Sequence, residues 1–298
     1  MVESGAPRQA SALPFRLLAP GRPLWRFLRD PIGMISLAVI LAAVVLVAFA
    51  PLFTSYAAQG LGEPDTAARL LPPSAAHLFG TDELGRDIWA RLLFGGRNSM
   101  SIALSVVAVA ILIGAPLGIL AGYSGGWIDE ILMRVTDVFL AFPPLLLAVF
   151  LAALMGPGFW NMVLAITLGW WPWYTRIARA QVATLRTRPF VEAAQFMGVP
   201  DLVVMRRHLA PFVIGPVTIQ GTLDYGSAIL TASALSFLGL GLSPPAPDWG
   251  EMVNSGRSYF PDRWWCVVFP GMAIFVVALA FSLLGDSLRD AFDPRKRS

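Results

Sequence analysis

The sequence predicts an all-α integral membrane protein with six transmembrane helices, and three observations carry that prediction. Hydrophobic residues make up 56% of the 298 and charged residues only 14%, against about a quarter charged in soluble domains. Apolar runs long enough to cross a bilayer, ~20 residues each, recur along the chain. Lys and Arg divide as a membrane topology requires: with both termini inside, the predicted inner segments hold 16 of the 22 and the two outer loops hold 6.

The elements follow in order. Residues 1–30 are rich in Pro, Ala and Arg without periodicity and read as a mobile cytoplasmic tail. The first span begins after Pro31 and ends near Phe53, too late for a cleaved leader, so it is expected to be retained. A long outer loop follows, centred on Gly80-Thr81-Asp82-Glu83-Leu84-Gly85-Arg86-Asp87. Its acids lack calcium-loop spacing, and Thr81 or Asp82 is expected to cap a surface helix running through Trp89 to Leu93. With the first span, this loop makes a unit of residues 31–97; a core of five spans, residues 98–288, comes next.

Span two, Ser99 to Tyr123, carries Gly114, Gly118 and Gly122 on one face, which suits close helix packing or reflects only the general use of Gly in membrane helices. Pro116 suggests a kink. In span three, Ile131 to Leu154, Arg134 and Asp137 share a face as a local clamp or a gating pair, and Pro143-Pro144 should bend the helix. Span four, Phe159 to Ile177, ends in a Trp-rich belt expected at the cytoplasmic interface. Span five, Phe212 to Leu240, contains Asp224, which should face a wet pathway, a subunit interface or a neighbouring helix rather than lipid. Span six runs from Trp264 to Leu284, and residues 289–298 form a second cytoplasmic tail.

Between spans four and five lies a polar island at residues 179–211, surrounded by arginines and hence expected on the cytoplasmic side. Glu192-Ala193-Ala194 sits on a short helix whose small residues permit close docking, Gly198 turns the chain, and Pro189 and Pro211 fence the unit. This arrangement suits a knob that docks a soluble partner.

Several function classes are excluded. The only lysine is Lys296, so there is no phosphate-binding Gly-x4-Gly-Lys loop; if ATP drives the protein, another chain binds it. His77 and His208 fall on opposite predicted sides and cannot share a metal, and Cys266 is the single cysteine. No nucleophile elbow or zinc-protease motif is present. The net charge of +3 follows the topology rather than forming one patch, which argues against nucleic acid. A secondary transporter or channel is the rival class, but no pair of internal repeats is visible.

The Glu-Ala-Ala…Gly…Leu-Ala-Pro pattern resembles the loop by which permease subunits of ABC importers dock their ATPases. Phe79 to Asp87 with Gly96-Arg97-Asn98-Ser99, Met133 to Asp137 with Ala141 to Pro144, and Leu235 to Pro245 with Asp248-Trp249-Gly250 are similar to segments of dipeptide, oligopeptide and nickel permeases. The resemblance is to the subunit type with a long loop after span one, and extends from Pro31 to Asp293. It departs at His208-Leu209-Ala210-Pro211, where Ile-Leu-Pro is common in the family.

The resemblance implies a type I ABC importer permease fold in a bacterial inner membrane, with Glu192, Ala193, Ala194, Gly198 and Pro211 in the coupling element. It also implies a second homologous permease, two ATPase subunits that bind ATP and Mg, and a periplasmic or lipid-anchored solute-binding protein. The chain itself needs no cofactor. Peptides, most simply dipeptides or short oligopeptides, are the expected cargo, with nickel chelates or glutathione as alternatives.

Overall fold

A computed structural model describes residues 23–292; residues 1–22 and 293–298 of the expected tails lie outside the described residues. The described part of the first tail is not structureless: α1 spans Pro23–Arg29, with Arg29 stacked over the Trp25 ring. Asp30 then caps α2 (Pro31–Ala48) by accepting from the backbone N–H groups of Ile32 and Gly33, and Pro31 suits the first helical turn because its missing N–H would be unpaired there anyway.

Eight further helices complete the frame: α3 (Ile88–Ser124), α4 (Gly126–Leu140), α5 (Pro144–Met155), α6 (Phe159–Leu185), α7 (Pro189–Phe196), α8 (Ala210–Phe237), α9 (Trp249–Gly256) and α10 (Trp265–Phe292). No strand occurs among the described residues.

Four helical stretches are long and apolar enough to cross a membrane: α2, α3, residues 201–237 and α10. The predicted third span is broken, α4 and α5 meeting at 82°; counted as one span, the pair brings the crossings to five. Pro143 and Pro144 cause the break, since neither can donate to the preceding turn. The predicted fourth span, α6, is 27 residues long but less apolar than those four stretches. The reason is its place in the fold: Trp171, Tyr174, Thr175 and Ala178 are buried against other helices rather than lipid. The expected interfacial belt is therefore only partly a belt, because Trp173 is exposed while Trp171 and Tyr174 face the core. The helix also continues to Leu185 rather than stopping at Ile177, and α10 reaches Phe292 rather than Leu284.

Helices α3 and α6 form the central pair. Cβ atoms placed on Gly114, Gly118 and Gly122 would lie 2.4, 2.3 and 2.8 Å from the carbonyl oxygens of Trp171, Thr175 and Arg179. The glycine face is thus a close-approach surface, in register with carbonyls spaced four apart on α6. Helix α3 continues through Pro116 as one element. Around this pair, Ile102, Val106, Ile166, Ile229 and Leu235 build the larger core, and Tyr174, Val182, Val191, Val204 and Leu209 build a second one at the other end.

The start of α3 differs from expectation. Asp87, not Thr81 or Asp82, is its cap, accepting from the Ala90 N–H at 2.8 Å, and the helix runs straight into the span. Thr81 is already committed, its Oγ1 donating to the Ala68 carbonyl and accepting from the Leu71 N–H. Asp82 is likewise occupied, accepting from the backbone of Leu84 and Arg86. Residues 88–94 are mostly buried, so no surface helix lies there.

The second carboxylate oxygen of Asp87 accepts from the ring of buried His77 at 2.9 Å. Asp87→Ala should therefore cost about 1–2 kcal/mol for the cap alone, and more for the stranded imidazole. It should appear as a lower thermal midpoint in detergent; an unchanged midpoint would remove this role.

Candidate functional site

The polar island between α6 and α8 folds as a helix, a turn and a second helical segment. Pro189 occupies the first turn of α7, where its absent N–H costs nothing, and Glu192 sits favourably in the first turn near the positive end of the helix. The exit is a Schellman turn: the Val199 N–H bonds to the Ala194 carbonyl at 3.1 Å and the Gly198 N–H to the Gln195 carbonyl at 2.9 Å. Gly198 has φ +73°, the left-handed region that a side chain disfavours, so the expected turn is present.

The two faces of α7 separate cleanly. Val191 and Ala194 are buried against the chain's own helices, whereas Glu192 and Ala193 are exposed. The expectation that both alanines form the outer docking face is thereby corrected: Ala194 is an anchor, because the 3.6-residue period turns it beneath Val191. The outer tip is instead Phe196, 91% exposed, and Met197, 75% exposed. Neither side chain belongs to the buried clusters of this chain.

Pro211 does not fence the unit either. A helical turn at Asp201–Val203 passes through a π segment, Val204–Leu209, directly into α8. The wider π turn sits immediately before Pro211, where a regular α-helix would clash with the proline ring. The knob is therefore continuous with the span that follows it.

Polar bonds tie the knob to the core. Tyr123, at the end of α3, donates to Asp201 Oδ1, and Gln195 Nε2 donates to the Tyr123 hydroxyl at 3.1 Å. Arg179 grips Asp129 with two parallel bonds, linking α6 to α4, and Arg176 pairs with Asp137. The predicted Arg134–Asp137 pair does not form. Arg134 reaches back to Glu130 at 2.9 Å on the exposed side, the favoured acid-before-base orientation at i,i+4, while Asp137 is taken by Arg176. Tyr123, Gln195, Asp201 and Asp129 carried no local sequence signal; their roles depend on helices far apart in the chain.

Asp224 lies in the middle of α8. Tyr174, from α6, donates its hydroxyl to Oδ2 at 2.7 Å, and Gln220 Nε2 donates to Oδ1 at 2.9 Å. Asp224 also borders a cavity of ≈ 650 Å3 that includes Trp170 and Trp173.

At the opposite end, the Gly80–Asp87 segment is a folded brace. Gly80 and Gly85 have φ of +76° and +78°, and a Cβ on Gly85 would collide with the Asp65 carbonyl. Arg86 Nε bonds Asp82 Oδ2 at 2.7 Å, and buried Arg91 bridges Asp82 at 3.6 Å and Glu251 of α9 at 2.9 Å. Burial pushes the Glu251 carboxyl above its ordinary pKa, with Arg91 opposing the shift.

Two motif segments distant in sequence also meet here. The Trp249 N–H bonds Ser99 Oγ at 3.1 Å, Asn98 donates to the Pro247 carbonyl at 2.8 Å, and Asp248 caps α9 through the N–H groups of Gly250 and Glu251. No cluster of three or more metal-ligating side chains occurs among the described residues.

Comparison with known proteins gives this architecture its family. Residues 114–298 match the family model described as binding-protein-dependent transport system inner membrane component, and residues 22–73 match the N-terminal TM domain of oligopeptide transport permease C. The chain belongs to the binding-protein-dependent transport permease family. It is 38% identical over 285 residues to the dipeptide transport system permease protein of Alkalihalophilus pseudofirmus, covering 95% of this chain and 93% of that one.

It is also 41% identical to the probable D,D-dipeptide transport system permease protein of Escherichia coli, covering 91% and 90%. Identity to the glutathione transport system permease protein of Pectobacterium atrosepticum is 39%, covering 94% and 92%. Among solved structures, the inward-facing MetNI methionine ABC transporter has a chain of similar fold, with TM-score 0.52, 14% identity and coverage of 68% of this chain and 96% of that one. The permease is therefore a multi-pass inner-membrane subunit of an ABC importer, with the type I fold. Membership of this family sets aside the secondary-transporter and channel readings.

Proposed function

We propose that this permease forms half of the translocation pathway for short peptides, and that its α7 turn is the coupling element for a separate ATPase. The observation that carries the coupling role is the exposed Glu192–Gly198 tip, whose Phe196 and Met197 project outward while Val191 and Ala194 hold the helix to the core. Glu192, Ala193 and Gly198 form the docking side, Ala194 the anchor, and Pro211 the start of the span that receives the motion.

The Tyr123–Asp201–Gln195 bonds supply the stiffness that such a lever needs, because a slack joint would let the ATPases close without moving the spans. Two ATPase subunits bind ATP and Mg; a second, homologous permease completes the conduit; a periplasmic or lipid-anchored binding protein delivers the cargo. Both termini are cytoplasmic in this scheme, flanking the outer-loop unit of residues 31–97 and the core of residues 98–288.

Peptide cargo is supported by relatives named for dipeptide and D,D-dipeptide transport at 38% and 41% identity. Glutathione is the second reading, supported by the relative named for it at 39%. The test is ATP-dependent uptake by the reconstituted importer, with labelled dipeptides, glutathione and a nickel chelate offered in parallel. Dipeptide uptake that stops when ATP is omitted is expected. Uptake of glutathione or nickel chelate alone would refute the peptide reading, and uptake that persists without ATP would refute the coupled mechanism.

A further inference from the structure

A membrane helix face that meets lipid should be apolar, and one face of α8 is not. Gln220, Asp224, Ser227 and Thr231 follow at intervals of four, three and four residues and so share a face. Ser227 is exposed and the other three are half-buried, so this chain leaves the stripe partly uncovered. Asp224 stands fourteen residues from Ala210 and thirteen from Phe237, which puts its carboxylate ~20 Å from either end of the helix. Within a membrane-spanning helix a carboxylate is costly against hydrocarbon and is kept where it meets water or a cation.

The group is held rather than neutralised. Tyr174 and Gln220 orient its two oxygens, but both donors are uncharged, and among the described residues no Arg or Lys forms an ion pair with it. A carboxylate has about four acceptor sites, and these two bonds use half of them. The adjoining cavity, ≈ 650 Å3, is large enough for a small ligand and is lined by the indoles of Trp170 and Trp173 as well as Ser227 and Thr231. Indole faces attract cations, so the aromatic and carboxylate linings select the same charge.

We propose that Asp224 receives the α-ammonium group of a peptide in transit, with Tyr174 and Gln220 as positioning residues. This rests on the peptide-importer reading above. A peptide carries its positive charge on a compact primary ammonium with three donors, matching the free acceptor sites of an oriented carboxylate. Midway along the pathway, a single such contact replaces lost water without forming a trap, because the oxygens stay shared with neutral donors.

The test uses the complete importer in proteoliposomes, with ATP-driven uptake of alanyl-alanine and its N-acetyl derivative measured at saturating binding protein. The same binding protein serves wild type and variant, so its own selectivity cancels when their preference ratios are compared. Asp224→Asn should reduce the preference for the free amine about tenfold, and Asp224→Glu should restore part of it. Both variants should still assemble with the second permease and the ATPases, read as an unchanged subunit ratio on gel filtration.

An unchanged preference ratio would overturn the proposal. So would loss of the second permease from the Asp224→Asn complex, which would make Asp224 a subunit clamp. Failure of the parent reading is visible separately, as a wild-type importer that moves no peptide with ATP.

Discussion

Phe196→Asp is expected to release the ATPase subunits while leaving the permease folded. Phe196 is 91% exposed and touches no core of its own chain, so the substitution should leave the thermal midpoint in detergent unchanged. A central aromatic anchor of an interface is worth about 3 kcal/mol, so affinity for the ATPase should fall roughly a hundredfold. Titration of labelled ATPase against detergent-solubilised permease reads this directly. Gly198→Asp should act on the same interaction by another route, because Gly198 adopts φ +73° and the obstacle is the backbone rather than space: a Cβ there would meet nothing within 4 Å. If both variants bind the ATPase as tightly as wild type, the α7 turn is not the coupling element.

Gly118→Leu should have the opposite profile, damaging the fold before any partner is involved. Its Cβ would lie 2.3 Å from the Thr175 carbonyl and 2.6 Å from the Ala178 side chain, both fixed by the α6 helix. The two backbones must separate, and since Gly114 and Gly122 share the same interface, the separation spreads along it. Overpacking of this kind costs about 3 kcal/mol, which should appear as a strongly lowered midpoint and poor recovery of folded protein from membranes. Leu112→Ala, on a 72% exposed residue of the same helix, is the control and should change little. Equal midpoints for Gly118→Leu and wild type would mean that the close approach contributes nothing to stability.

Much of this organisation was legible in the chain. The glycine spacing on α3, the break at Pro143-Pro144 and the turn at Gly198 each rest on short-range rules: a bare helix face, a missing N–H, a backbone angle. The motif segments were also recognisable, but what Phe79 to Asp87 does was not. It forms a three-dimensional brace in which Asp87 caps α3 and Arg91 joins Asp82 to Glu251, 160 residues further along the chain than Arg91. The choice of cap failed for the same reason, because Thr81 was a reasonable local candidate until its hydroxyl was found bonded to the backbone of Ala68 and Leu71.

Sequence alone determined that this chain lives in a membrane, roughly where it crosses, and that its polar island carries a turn suited to docking. Those properties follow from hydropathy and backbone angles, which neighbouring residues settle among themselves. Only the tertiary structure decided which partner each polar group takes: Asp137 with Arg176 rather than Arg134, Ala194 inward rather than outward, and Asp224 oriented by Tyr174. A charge or hydroxyl can bond to any complementary group that folding brings within about 3 Å, and that neighbourhood exists only once the helices have packed.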